Sequence, residues 1–127
     1  MKIGYIDDKK ILLDTFTNTF ATKKIDITTW EFIIMRKNVL LQSVISAQVG
    51  MLLLDYHIDS IYKGTDLAQD LMKLGFTGII VGFSTDPHTA SIFKNIGVPY
   101  FVQKEPSNSL HSVEKVLSIM DMILDTK

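Results

Sequence analysis

Residues 51–55 read Met-Leu-Leu-Leu-Asp, four apolar residues in a row closed by a carboxylate. An unbroken apolar run of that length, bounded by a polar residue, is how a strand reads when helices cover both faces of its sheet; a half-exposed strand would alternate. The same form recurs on either side. Residues 2–6 run into Asp7 and Asp8, residues 79–83 into Ser84 and Thr85, and residues 99–102 toward Lys104. A weaker strand lies within residues 27–34, where Thr28, Thr29, Trp30 and Phe32 supply the β-branched and aromatic side chains that suit a pleated surface.

Helical periodicity fills the stretches between. Residues 9–21 place Leu12, Phe16 and Phe20 on one face. A second helix is expected over residues 39–48, starting from Asn38 as its cap and stopping before Gly50. The third, residues 65–74, turns Leu67, Leu71 and Leu74 inward and closes at Gly75. The fourth opens at Asp86-Pro87, a capping acid followed by proline, and ends at Gly97. The fifth spans residues 109–124, with Ser107 or Ser109 as cap. Its expected core stripe is Leu110, Val113, Leu117, Met120 and Leu124; Val116, Ile119 and Ile123 form a second stripe about a quarter-turn away. The second stripe is expected to be a partner or homodimer surface, the alternative being one broad core face. Strand and helix thus alternate five times. Right-handed crossovers then predict an α/β fold, a doubly wound five-stranded parallel sheet in the order 2-1-3-4-5 with five helices.

Composition narrows the function classes. A chain of 127 residues suits a single domain spanning 1–127. With net charge -1 it lacks the basic excess of a nucleic-acid binder. The absence of cysteine excludes disulfides, cysteine zinc sites and a thiol nucleophile. Acid at Asp7 interrupts the start before a signal peptide can form, and no apolar run approaches the roughly 20 residues of a membrane span. A cytoplasmic protein with no membrane partner is the expectation.

Doubly wound sheets bind ligands at the carboxyl ends of their strands, near the switch between strands 1 and 3. This sequence brings Asp7, Asp8, Asp55, Ser84, Thr85 and Lys104 to that edge. Each has an ordinary reading: Asp8 as a helix cap, Asp55 as a turn residue, Ser84 and Thr85 as loop hydroxyls, Lys104 as a solvated cation. Their joint occurrence at the matching ends of four strands favours a built site. Two like charges about 4 Å apart repel by roughly 4 kcal/mol at an effective dielectric near 20. Clustered carboxylates therefore take up a proton or hold a cation. All-oxygen donors suit Mg²⁺, which keeps several waters and favours sites completed by phosphate.

In this set the chain resembles the CheY-like response-regulator receiver family over essentially its whole length. The matching pieces are Ile6-Asp7-Asp8, Leu53-Leu54-Asp55, Val81-Gly82-Phe83-Ser84-Thr85 and Phe101-Val102-Gln103-Lys104. The resemblance implies that Asp55 is the phosphoacceptor. It further implies Mg²⁺ bound directly by Asp8 and Asp55, by Asp7 through water, and by the backbone carbonyl of His57. Ser84 and Lys104 would contact the phosphoryl group, and Ser84 with Phe101 would form the switch. His57 and Asp86 would flank the attacking water and modulate loss of the phosphoryl group. One departure stands out. The family usually has proline directly after the lysine, often with a cis bond, whereas here Glu105 intervenes before Pro106.

The expected role is a stand-alone receiver without an output domain, a phosphoacceptor rather than a turnover enzyme. It would receive its phosphoryl group from a sensor histidine kinase or a histidine phosphotransfer protein and signal by protein contact. Two alternatives come from other classes. One is a pseudo-receiver that works without phosphate. The other is a small aspartate-nucleophile phosphatase, opposed by His57 where those enzymes place a second aspartate. A flavodoxin-type flavin protein is opposed by Asp7 and Asp8, which would repel the flavin phosphate.

Overall fold

The structure, a computed structural model, describes residues 1–125. Its elements run β1 (Ile3–Asp7), α1 (Lys10–Thr22), β2 (Ile27–Glu31), a 3₁₀ turn (Ile34–Arg36), α2 (Lys37–Ala47), β3 (Met51–Leu54), α3 (Gly64–Lys73), β4 (Ile79–Ser84), α4 (Thr89–Asn95), β5 (Tyr100–Gln103), a second 3₁₀ turn (Pro106–Asn108) and α5 (Ser109–Asp125). All strand pairs are parallel, and the sheet order is β2-β1-β3-β4-β5, as expected. Strands β1 and β3 are buried along their whole length, and β4 along all but its first residue, which is why their sequences do not alternate. Edge strand β2, half-buried and exposed by turns, reads more weakly for the same reason.

Two cores lie on the two faces of the sheet. On one, Leu13, Phe16 and Phe20 of α1 and Val113, Val116 and Ile123 of α5 pack against Ile3, Tyr5, Met51, Leu53, Val81, Phe83 and Val102. On the other, Leu40, Leu41 and Val44 of α2, Leu67, Ala68 and Leu71 of α3, and Phe93 of α4 cover Ile6, Leu52, Leu54 and Ile80. Burying each such large apolar side chain contributes about 1.5–3 kcal/mol against leaving it exposed. The helix ends are closed locally. Gly75 and Gly97 take positive φ after α3 and α4, where a side chain would be strained.

Four expectations are corrected. The buried face of α1 runs through Leu13 rather than Leu12, which is only half-buried. Helix α2 starts two residues earlier than expected, from a 3₁₀ turn, so Asn38 lies inside it and does not cap it. Leu74 is exposed just past the end of α3. The main correction concerns α5: Val116 and Ile123 are buried in the core and Ile119 packs partly buried against it, while Leu110 and Leu124 are exposed. The helix is rolled so that Val113, Val116 and Ile123 face the sheet. The expected interface stripe is therefore a core stripe.

Candidate functional site

Ladder geometry assembles the site. Past the last paired residues, Asp55 N–H donates to the Ile6 carbonyl (3.3 Å) and Lys104 N–H to the Ser84 carbonyl (2.8 Å), so the strand pairing carries on into the loops. The register sets Tyr5 beside Leu53, Leu53 beside Val81 and Phe83 beside Val102. One alternation further along each strand, Asp7, Asp55 and Lys104 leave on the same face, above the α1/α5 core. That shared face is why they converge.

Lys104 Nζ donates to Asp7 Oδ2 at 2.5 Å and lies 3.4 Å from Asp55 Oδ2. All of these groups are buried: Asp7 is 0% exposed, Lys104 2% and Asp55 4%. Asp7 is fully engaged. Its Oδ2 also accepts the Tyr5 hydroxyl at 2.5 Å, and its Oδ1 accepts the Lys9 N–H at 3.1 Å. One oxygen from each of Asp7, Asp8 and Asp55 lies within 4.8 Å of the others. Among the described residues, Asp8 Oδ1 is the buried side-chain oxygen with no hydrogen-bond donor.

The electrostatics separate the acids. Burial opposes ionisation of Asp7, but Lys104, the Tyr5 hydroxyl and the Lys9 N–H outweigh it and hold its carboxyl below the usual range. Burial pushes Asp55 up to about 6; Lys104 opposes the rise, and Asp7 and Asp8 add to it. Burial and the Asp7 charge raise Asp8 as well. Burial, then the Asp7 charge, raises Tyr5, which keeps it a neutral phenol and a donor. Three carboxylates against one ammonium leave an excess of negative charge. A hard divalent cation would remove that excess and supply the donorless Asp8 oxygen with a partner, so the residues present fit Mg²⁺.

The remaining expected residues fall around this centre. Ser84 closes β4, fully buried, and its hydroxyl oxygen accepts the Asp86 N–H (3.2 Å), which keeps the hydroxyl hydrogen for another acceptor. Phe101 is half-buried on the same sheet face as Ser84. It packs against Phe93 in the space left by Gly82, whose Cβ would come within 2.9 Å of its ring. His57 and Asp86 approach each other across the rim, Nε2 to Oδ2 3.6 Å. Asp8 and His57 also line an open depression of about 640 Å³ with Phe32, Ile33 and Ile58. The Lys104-Glu105-Pro106 departure is accommodated without any cis peptide among the described residues. The Glu105 N–H, which a proline there would lack, donates to the buried Ser112 Oγ at 2.8 Å, and its carboxylate meets His111 Nδ1 at 2.7 Å.

Sequence reasoning passed over Tyr5 and Ser112. For Tyr5 a signal existed: a tyrosine two residues before Asp7 in a wholly buried strand shares its face, and a buried phenol seeks a polar partner.

The chain has the fold of CheY-like response-regulator receiver domains. It is similar to the receiver domain protein of Methanospirillum hungatei (15% identity, 95% of this chain and 96% of that one, TM-score 0.69). It is likewise similar to the chemotaxis protein CheY4 of Vibrio cholerae (15%, 95% and 96%, TM-score 0.71). A third is the response regulator TrrA of Thermotoga maritima in complex with Mg²⁺ and beryllium fluoride (20%, 83% and 88%, TM-score 0.67). No family model matches the sequence, and no curated protein matches it. Among the described residues no helix is long and apolar enough to cross a membrane.

Proposed function

We propose that the protein is a phosphoacceptor receiver that takes a phosphoryl group onto Asp55 in a Mg²⁺-dependent step and signals by protein contact. The observation that carries this reading is the cluster of Asp7, Asp8 and Asp55, with Lys104 against the buried Asp7 and Asp55 and with Asp8 Oδ1 lacking a donor. One Asp55 oxygen attacks phosphorus; the bond from phosphorus to the leaving group breaks, and the leaving group departs with its electron pair. From a phosphohistidine that group is an imidazole, from acetyl phosphate it is acetate. Bound Mg²⁺, held by Asp8, Asp55 and the His57 carbonyl and through water by Asp7, would neutralise charge on the phosphoryl oxygens. Lys104 turns from Asp7 to a phosphoryl oxygen, and the Ser84 hydroxyl donates to another. Phe101, which shares a sheet face with Ser84, would follow it. His57 and Asp86 border the path of the water that later hydrolyses the acyl phosphate. The donor class is a sensor histidine kinase or a histidine phosphotransfer protein.

Acetyl phosphate with Mg²⁺ should add one phosphoryl group, seen by intact-protein mass spectrometry. Asp55→Asn or excess EDTA should abolish it. No uptake by the unaltered protein would turn the reading toward a pseudo-receiver, and an adduct persisting in Asp55→Asn would move the acceptor elsewhere.

A further inference from the structure

We propose that Tyr5 is a positioning residue of the acid pocket, the permanent hydrogen-bond partner that allows Asp7 to release Lys104. The proposal rests on the reading above, in which Lys104 leaves Asp7 for a phosphoryl group on Asp55. Asp7 is wholly buried, and its Oδ2 receives two donors at the same 2.5 Å, the Tyr5 hydroxyl and Lys104 Nζ. These donors differ in freedom. Lys104 ends a flexible stem, already lies 3.4 Å from Asp55, and can turn to it. Tyr5 cannot leave. Its ring is 0% exposed and meets Phe16 and Phe83 edge-on, at centroid distances of 5.9 and 5.3 Å.

A buried carboxylate stripped of its cation and of its strongest donors is among the costliest groups a protein can hold. Without Tyr5, the departure of Lys104 would leave Asp7 with the Lys9 N–H alone. That penalty would fall on the step that moves the lysine. With Tyr5 present, Asp7 keeps one donor on each oxygen. Core packing does not demand the hydroxyl. In register beside Tyr5, Leu53 and Val81 fill the equivalent positions of the same face with plain hydrocarbon. The oxygen therefore answers to Asp7.

The test uses Tyr5→Phe, which keeps the ring and removes the oxygen. A double-mutant cycle with Lys104→Met, followed by urea unfolding in excess EDTA, reads the coupling without any phosphoryl chemistry. Lys104→Met should lower the folding equilibrium constant about tenfold further in the Tyr5→Phe background than in the unaltered protein. Additive losses would overturn the proposal. Separately, phosphoryl uptake from acetyl phosphate should slow by roughly tenfold in Tyr5→Phe, while the Mg²⁺ dissociation constant, read by calorimetry, stays within about threefold. Unchanged uptake would also overturn it. If the unaltered protein takes no phosphoryl group, the functional reading falls and the unfolding cycle alone decides the role of Tyr5. Should Tyr5→Phe fail to fold, adding Asp7→Asn must restore folding, because the hydroxyl then has no charge to serve. Continued failure there would assign Tyr5 to packing.

Discussion

The backbone oxygen of Asp55 lies 1.9 Å from the point where a side chain on Gly64 would place its first carbon. Gly64 is the first residue of α3, and its N–H donates to the Tyr56 carbonyl at 2.8 Å, so the helix start is pressed against the loop that leaves β3. The candidate acceptor is thus held from behind by a contact that only glycine permits.

Gly64→Ala should therefore displace the Asp55 backbone or the first turn of α3. A loss of about 1–3 kcal/mol in urea unfolding is expected from overpacking of this kind. Phosphoryl uptake should fall more steeply than stability does, because the displaced carbonyl belongs to the candidate acceptor itself. Equal uptake at unchanged stability would show that the loop yields freely.

Asp55 makes stability depend on pH in the metal-free protein. Its carboxyl is pushed up to about 6 from an ordinary 3.8, first by burial, with Lys104 opposing and Asp7 adding to the rise. A raised carboxyl binds its proton more tightly in the folded state. Its contribution to stability is complete below about pH 4 and is lost as pH rises through about 6. Asp55→Asn, which stays neutral, should accordingly be more stable than the unaltered protein at pH 7.5 in EDTA, by on the order of 2–3 kcal/mol. The gap should close toward pH 4. Saturating Mg²⁺ at pH 7.5 should narrow it by favouring the ionised form. A gap independent of pH, read from denaturation curves, would place the effect elsewhere than in the Asp55 charge.

His57 and Asp86 meet at 3.6 Å across the rim with both side chains still partly open to solvent. Replacing either with Ala should change the lifetime of the acyl phosphate several-fold, while the double replacement should differ from the sum of the singles, as expected of groups in contact. Decay of the phosphorylated mass after removal of the donor measures this. Lifetimes identical to that of the unaltered protein in all three variants would remove the pair from the hydrolysis path.

The burial along α5 predicts opposite outcomes for neighbouring residues. Val116 is fully buried and Ile123 nearly so, whereas Leu110 and Leu124 are almost half exposed. Val116→Ala and Ile123→Ala should each cost about 1–4 kcal/mol through the cavity they leave, and Ile123→Glu should unfold the domain. Leu110→Ala and Leu124→Ala should stay within about 0.5 kcal/mol. Denaturant titrations distinguish the two sets directly.

Much of this protein was legible in one dimension. The continuous run at Met51–Leu54 announces a strand covered on both faces, because only a doubly buried strand can dispense with polar alternation. Four such runs and one weaker strand, separated by helical periods, leave few arrangements once crossovers are right-handed, and the order β2-β1-β3-β4-β5 follows. Asp7, Asp8, Asp55 and Lys104 were legible too, since a parallel sheet brings the ends of its strands to one edge. Tertiary structure decided the rest. Which of two apolar stripes on α5 faces inward depends on how the helix rolls against the sheet, and both stripes satisfy the same period. The place of Gly64 depends on how closely α3 is pressed to the loop after β3, a distance that no local propensity encodes. The sharing of Asp7 between Tyr5 and Lys104 joins groups 97 residues apart at its longer reach, and the burial that fixes the preference exists only once the whole chain has closed around it.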